Sequence, residues 1–346
     1  MGPMTNPHDR DPWWITEIAL GFWPAKTLLS AIELGVFTSL GRESLRGEEL
    51  GSRLALHPRG IWDFLDALVA LKLLEREGNG PEARYRNTED AARYLVRSSP
   101  HYIGGFLEMA NARLYRFWGD PTEALRTGKP QNEIKSTGAP MFAELYSQPE
   151  RLEQFLHAMA GFSILNFETF ARKFDFSRYS TLVDVGGAAG QLSMAVARQH
   201  PHMKCITCDL AVVEPIARKA IAAAGLSDRV STRTLDFFAE PIPEADVVTM
   251  GMILHDWNLE KKKHLIRSAR AALRPGGAFV VVESLIDDER RKNVFGLMMS
   301  LNMLIEFGEA FDYTGRDFDG WCREAGFQRT ETMKLRGASS AAIAYR

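Results

Sequence analysis

The chain has 346 residues, a formal net charge of −2 and an ordinary globular composition, 45% hydrophobic and 25% charged, which fits two domains or one domain with an appendage. The near-neutral charge excludes a general electrostatic pull toward nucleic acid or anionic lipid, and no apolar run approaches the ~20 residues of a membrane helix. The cysteines, Cys205, Cys208 and Cys322, are too few for a disulfide framework and fit a reducing, cytoplasmic setting.

Residues 1–12 read as a disordered lead, with no charged stretch followed by the apolar core of a secretory signal. From there the period is helical. Residues 23–40 carry apolar side chains three to four apart and break at Gly35, while 46–56 and 57–74 predict two further helices. After the turn around Gly78–Gly80, residues 84–88 (RYRNT) predict a short strand. Helices followed by a small hairpin make a mainly α winged-helix pattern over residues 13–100. DNA binding would require a basic recognition helix. Residues 57–74 instead set Arg59 and Lys72 against Asp63 and Asp66 among large apolar side chains. Such a surface suits a protein–protein contact and argues against a nucleic-acid partner.

Residues 101–346 are expected to form the second domain. Residues 101–178 are a helical linker region in which 151–176 predict a long amphipathic helix, and 179–346 form the core. From Thr181, near-continuous apolar strands alternate with helices, the pattern of an α/β, doubly wound, Rossmann-like parallel sheet. No helix separates the last strands, 331–335 and 341–345, so they predict an antiparallel hairpin at one edge. The strand from Ala245 is expected to run to Leu254 and to deliver His255, Asp256 and Trp257 at its tip. The helix over 262–277 is expected to be capped by Gly276–Gly277. The CITC sequence (205–208) has CxxC spacing, but within a strand its cysteines point to opposite faces. No second Cys/His pair accompanies them, and no metal is expected.

The turn VDVGGAAG (183–190) joins the first core strand to its helix. Gly186 and Gly187 are expected to turn the backbone with positive φ, and Gly190 to let the helix approach closely. Such a turn can hold a ligand against N–H groups at a helix start. Asp209 ends the second strand, where a carboxylate accepts from both hydroxyls of a ribose. Asp236 and Phe237 follow the third, placed to accept from an exocyclic amine and to cover an adenine face. The set describes an adenosine pocket, for a dinucleotide or for S-adenosylmethionine. The glycines lack the G-x-G-x-x-G register, and a buried Asp184 suits a cationic amino group better than a pyrophosphate.

Six motifs then resemble the class I S-adenosylmethionine-dependent O-methyltransferases of the plant phenolic, acetylserotonin and bacterial polyketide group. They are VDVGGAAG, CDL (208–210), DFF (236–238), LHDW (254–257), LRPGG (273–277) and VVVES (280–284), and the winged-helix segment extends the likeness over nearly the whole chain. The resemblance implies a homodimer through the N-terminal domain, with S-adenosylmethionine as cofactor and S-adenosylhomocysteine as product. It makes His255 the general base, Asp256 its neighbour at the cofactor, Glu283 the brace of the imidazole, and Asp312 a second brace where plant members carry Glu. It also places Tyr146, Ser163, Leu210 and Met252 at the cofactor, beside Asp184 and the glycines. Met159, Phe162, Met299, Asn302, Met303 and Glu306 are implied to line the acceptor pocket. Ala188 stands where the family commonly has glycine.

The expected reaction is methylation of a phenol or enol hydroxyl of a small aromatic secondary metabolite. A weakly acidic O–H needs a base, and a neutral imidazole supplies one near pH 7. Methylation of carbon, nitrogen or sulfur on the same fold is the alternative. A winged-helix regulator that senses S-adenosylmethionine is a third reading, opposed by the non-basic helix and the intact LHDW.

Overall fold

The computed structural model describes residues 11–138 and 149–346, the side chains of 136, 137, 149–151, 154, 157, 158 and 162 excepted. Most of the expected disordered lead, and Tyr146, lie outside the described residues. The chain divides into two compact units, residues 1–112 and 113–346.

In the first unit α1 (Trp13–Ala19) and α2 (Phe22–Glu33) are followed by α3 (Val36–Leu40), α4 (Gly47–Arg53) and α5 (Pro58–Ala70). Gly35 separates α2 from α3 at φ 73°, a left-handed conformation that a side chain would strain. The RYRNT strand is β3 (Arg84–Asn87). It lies between β1 (Leu45–Arg46) and β2 (Leu74–Glu77), antiparallel to both. Arg46, the first residue of the helix expected over 46–56, instead ends β1; two residues are too short a strand to leave a period-2 signal. Ile61, Leu65 and Leu68 form the buried stripe of α5, packing with Phe37, Leu50 and Tyr85. Arg59 ion-pairs with Asp63, and Arg76 with Asp66 at 2.8 Å.

The second unit is built on a seven-stranded sheet in the order β6-β5-β4-β7-β8-β10-β9. The strands are β4 (Thr181–Val185), β5 (Lys204–Asp209), β6 (Val230–Thr234), β7 (Ala245–Gly251), β8 (Leu273–Glu283), β9 (Arg329–Lys334) and β10 (Ser340–Tyr345). The first five pair in parallel, and β10 runs antiparallel to both β8 and β9, as the missing crossover helix predicts. The helices are α6 (Pro149–Lys173), α7 (Gln191–Gln199), α8 (Glu214–Ala223), α9 (Leu259–Ala272), α10 (Val294–Phe307) and α11 (Gly315–Glu324). Side chains alternate across the sheet. Leu182 and Cys205 join one apolar layer, with Phe170 and Val196, while Val183, Val185 and Cys208 join the other, with Leu265 and Phe318. Cys205 and Cys208 thus face opposite cores.

Two sequence expectations change here. α9 stops at Ala272, not at Gly276–Gly277. Leu273 is already extended and pairs with Ala245, and the register then jumps so that Ala278 pairs with Val247. The glycines form this irregularity: Gly276 has φ 77°, and a Cβ on Gly277 would come within 2.6 Å of the Asp246 carbonyl. Likewise β7 ends at Gly251 rather than Leu254. Met252 takes φ 58° and turns the chain into a 3-10 turn, Leu254–Asp256.

Candidate active site

The carboxyl ends of parallel strands β5, β4, β7 and β8 converge at the centre of the sheet, where a doubly wound fold gathers its ligands. Between β4 and α7 the turn begins with Gly186 at φ 69° and ends with Gly190 at φ 81°, while Ala188 takes φ 48°. Gly187 is not in the left-handed region, contrary to expectation. Its requirement is space, since a Cβ there would meet Thr207 Oγ1 at 2.1 Å and Asp184 Oδ2 at 2.8 Å. Conversely, Gly190 is required for its conformation, because the atoms facing it stand at ordinary contact distance, 3.4–3.5 Å.

Asp209 anchors this turn. Its Oδ2 accepts from the Ala188 N–H at 2.9 Å and its Oδ1 from the Leu210 N–H at 2.8 Å. Burial raises its pKa, and the two backbone donors oppose that. Each oxygen retains a lone pair for a ligand hydroxyl. Asp184 lies buried beneath Gly187. Its Oδ1 accepts from Thr249 at 2.8 Å. Burial pushes this carboxyl up to about 7, against hydrogen bonding by Thr249 and by Ser193 at the start of α7. Asp236 is exposed, its Oδ1 accepting from the Phe238 N–H at 2.9 Å. Phe237 and Phe238 pack edge-on against Trp257, at 6.1 and 4.7 Å between centroids. A strand-end carboxylate held by turn N–H groups, a buried carboxylate beneath the turn and a half-buried phenyl ring fit an adenosine-bearing cofactor with a cationic amino end.

His255 follows on the turn after β7. Its imidazole is buried, 4% exposed, with Nδ1 at 3.3 Å from Asp312 Oδ1 and Nε2 at 3.3 Å from Asp256 Oδ1. Expected to brace the imidazole, Glu283 instead holds the backbone of the turn. Its Oε1 accepts the N–H groups of Ile253, at 3.0 Å, and His255, at 3.2 Å. The reason is positional: Glu283 ends β8 beside the point where Met252 bends the chain, so its carboxylate meets N–H groups before it can reach the ring. Asp312, shorter by a methylene than the Glu of plant relatives, still comes within ion-pair distance of Nδ1.

The electrostatics are those of a closed acidic cluster. Burial disfavours the imidazolium, but Asp256, Asp312 and Glu283 together outweigh it and lift the His255 pKa to about 10. Burial raises Asp256 to about 7 against the pull of His255, and raises Glu283 too. Tyr313 is buried beside this group, its phenol pKa raised by burial and then by Glu283.

α10 packs on this turn. Met303 and Glu306 are buried and Met299 and Asn302 half-buried. Asn302 Oδ1 accepts from the Trp118 indole at 2.9 Å, and Glu306 Oε2 pairs with Arg113 at 3.1 Å. Both polar groups of the expected acceptor pocket are therefore partly engaged within the protein. Burial raises the Glu306 pKa, opposed by Arg113 and by a side-chain hydrogen bond that Asn132 adds. On α6, Ser163 is buried and Met159 half-buried; the Phe162 side chain lies outside the described ones. Met252 sits at the bend itself, its N–H donating to the Val282 carbonyl at 3.1 Å. Reading the sequence missed Arg113, Trp118 and Lys262. Only Lys262 left a signal: it occupies the apolar stripe of α9, three, four and seven residues before Leu265, Ile266 and Ala269.

Comparison with known proteins agrees with this geometry. An O-methyltransferase domain matches residues 118–328 and an O-methyltransferase dimerisation domain residues 16–97. The tetracenomycin polyketide synthesis 8-O-methyl transferase of Streptomyces glaucescens is 40% identical over 97% of this chain and 97% of its own. An N,N-dimethyltransferase of Streptomyces rimosus is 34% identical over 93% of this chain and 92% of its own. Among solved structures, human N-acetylserotonin methyltransferase in complex with S-adenosylmethionine superposes with a TM-score of 0.90 at 29% identity, covering 99% of both chains.

Proposed function

The chain belongs to the O-methyltransferase family, and from that premise we propose that it methylates a phenol or enol hydroxyl of a small aromatic metabolite, with His255 as general base. S-adenosylmethionine, when bound, supplies a methyl group on an electrophilic sulfonium. The residues of this chain supply the rest. Asp209 and the glycine turn fit the adenosine end, and the buried Asp184 carboxylate fits the cationic amino end. Holding two reactants at near-attack geometry contributes roughly 7–11 kcal/mol to catalysis.

The observation that carries the reading is a buried imidazole with a carboxylate at 3.3 Å from each ring nitrogen. Asp312 at Nδ1 orients the ring, and Nε2, which faces Asp256 across 3.3 Å, receives the acceptor's proton when the ring is neutral. Asp256 at Nε2 then stabilises the imidazolium that forms. This is the base half of a hydrolase triad without a nucleophile. A positioned base contributes about 10²–10⁴-fold, so His255→Ala should lose two to four decades of turnover. The test is mass spectrometry of a phenol, enol and thiol panel incubated with S-adenosylmethionine and either enzyme. Full activity in the variant would leave proximity as the sole driver and remove the base.

A second reading keeps donor and fold but moves the acceptor atom to nitrogen, favoured by the N,N-dimethyltransferase relative. An amine whose methylation survives His255→Ala would select it.

The dimerisation domain supports a homodimer through the N-terminal unit. So does the exposed apolar surface of α1 and α2, where Trp13, Trp14, Ile18 and Trp23 are each more than half exposed. Light scattering of the purified chain should give twice the 38.8 kDa monomer mass. The family placement and the absence of a spanning helix among the described residues support a cytoplasmic enzyme.

A further inference from the structure

Lys262 is fully buried, and a lysine is rarely found so unless a counter-charge holds it. It also lies in the first turn of α9, where the helix dipole disfavours a cation. Two costs are thus accepted at one position, and its surroundings explain them. The ammonium donates to the Trp257 carbonyl, which closes the turn carrying His255 and Asp256. It also stands 3.8 Å from the centroid of Phe311, with Tyr313 next at 5.9 Å. Phe311 and Tyr313 bracket Asp312 in the chain. One side chain therefore bridges the two segments that supply both carboxylates facing the imidazole.

We infer that Lys262 is a positioning residue for the proposed base. Its ammonium is the fixed counter-charge of the Asp256–Glu283–Asp312 cluster, and its bond to Trp257 secures the His255 turn. The inference rests on the reading of His255 as base. Carboxylates on both sides of a buried imidazole draw a proton onto it and hold it there, which blocks its use as a base. A second cation in the cluster opposes that by like-charge repulsion. Among the described residues no lysine or arginine lies within ion-pair distance of Asp256 or Asp312, whose partner is His255 itself, and Lys262 acts on them through the field of its buried charge. The neighbouring cations are placed otherwise: Lys261 on α9 stands over the Trp257 and Phe238 rings, at 4.8 and 5.3 Å from their centroids, and Lys263 pairs with Glu324 of α11, while Glu306, the charged residue of α10, is engaged by Arg113. Burial lowers the Lys262 amine to about 8, opposed by Glu283, Asp312 and Asp256, so it is mostly ammonium at pH 7.

The experiment reads the His255 ring directly, by ¹⁵N NMR titration of the S-adenosylhomocysteine complex. Lys262→Met keeps the aliphatic stem and removes the charge; Lys262→Gln also keeps a donor for Trp257. In both, the apparent pKa of His255 should rise by a unit or more, a tenfold smaller neutral fraction at a given pH. An unchanged pKa in either folded variant overturns the inference. Should neither variant fold, the unmutated enzyme decides through its lysine ¹⁵Nζ spectrum. A Lys262 that is ammonium at pH 7, and whose deprotonation shifts the His255 resonance, supports the role; a neutral amine at pH 7 overturns it. Turnover by His255→Ala is a separate measurement, so loss of the base reading and loss of the Lys262 role are told apart.

Discussion

The carboxylate of Glu283 accepts the backbone N–H of His255 at 3.2 Å, while the ring of the same histidine faces Asp312 and Asp256. The duties of the two bracing carboxylates are therefore separable. A backbone acceptor survives conversion to an amide, because the amide oxygen still accepts. A carboxylate that orients an imidazole does not, because the amide can present the wrong group to Nδ1. Asp312→Asn should accordingly cost about 10²–10⁴ in kcat, in keeping with the effect of misorienting a triad histidine. Glu283→Gln should cost less than about tenfold, whereas Glu283→Leu strands two buried N–H groups at roughly 1–3 kcal/mol each and should lower the melting temperature. Initial rates and thermal melts on the same preparations check all three, and equal losses for Asp312→Asn and Glu283→Gln would refute the division.

Asp184 predicts a pH dependence of stability. Its folded pKa, about 7 because of burial, stands above the unfolded value of about 3.9. A group whose folded pKa is raised contributes stability that is fully present below the unfolded pKa and is lost as pH rises through the folded one. The window is thus roughly pH 4 to 7. Asp184→Asn, which keeps an oxygen for the Thr249 hydroxyl, should be more stable than the unmodified chain at pH 8, by a few kcal/mol at most, and no more stable at pH 4. Urea denaturation of ligand-free protein at both pH values measures this. Because the carboxylate is the group proposed for the amino end of the cofactor, the same variant should bind S-adenosylhomocysteine more weakly.

Gly187 offers a steric test. With Thr207 Oγ1 2.1 Å from where its Cβ would stand, Gly187→Ala should destabilise the second unit by about 1–3 kcal/mol, the usual cost of overpacking. Adding Thr207→Ala removes the nearest obstruction and should recover part of the loss. Asp184 Oδ2, at 2.8 Å, should keep the recovery incomplete. Strict additivity of the two substitutions, read from denaturation midpoints, would show that the contact is not the cause.

The parallel sheet was legible, though not the order of its strands, because alternation of apolar runs with amphipathic helices survives in the residues themselves, from Thr181 to Tyr345. The missing helix between 335 and 341 likewise announced the antiparallel hairpin. The end of β7 was not legible. Val247 to Leu254 reads as one apolar run, and nothing in Met252 signals a residue at φ 58°, a conformation that tertiary contacts impose on it. That turn also redirects His255, which is why the motif order identified the carboxylates around the imidazole but not which of them would meet the ring and which the backbone. Gly187 is a similar case. Its place in a glycine run suggested positive φ, while its true constraint comes from Thr207 on β5, a neighbour in space that the local sequence does not reveal.

The His255 ring provides a further prediction that depends on charge. In the protein alone, Asp256, Asp312 and Glu283 outweigh burial and hold the ring above its ordinary range, near 10, so at pH 7 it is mainly protonated and a poor acceptor. A cation brought beside it disfavours that proton. A like charge within about 4–6 Å lowers the pKa of a basic group by roughly 1–3 units. The ring should therefore titrate lower in the complex with S-adenosylmethionine, whose sulfur is positive, than with S-adenosylhomocysteine, whose sulfur is neutral. The sign follows from one charge and one proton competing for the same acidic cluster. It means that the neutral, base-competent fraction of the ring would rise when the methyl donor is in place and fall again when the donor has become product. Titration of ¹⁵N-labelled imidazole in the two complexes measures the difference, with no acceptor present so that turnover does not intervene. Equal pKa values would mean that the ring does not lie beside the sulfur, and the assignment of His255 as the base would fall with it.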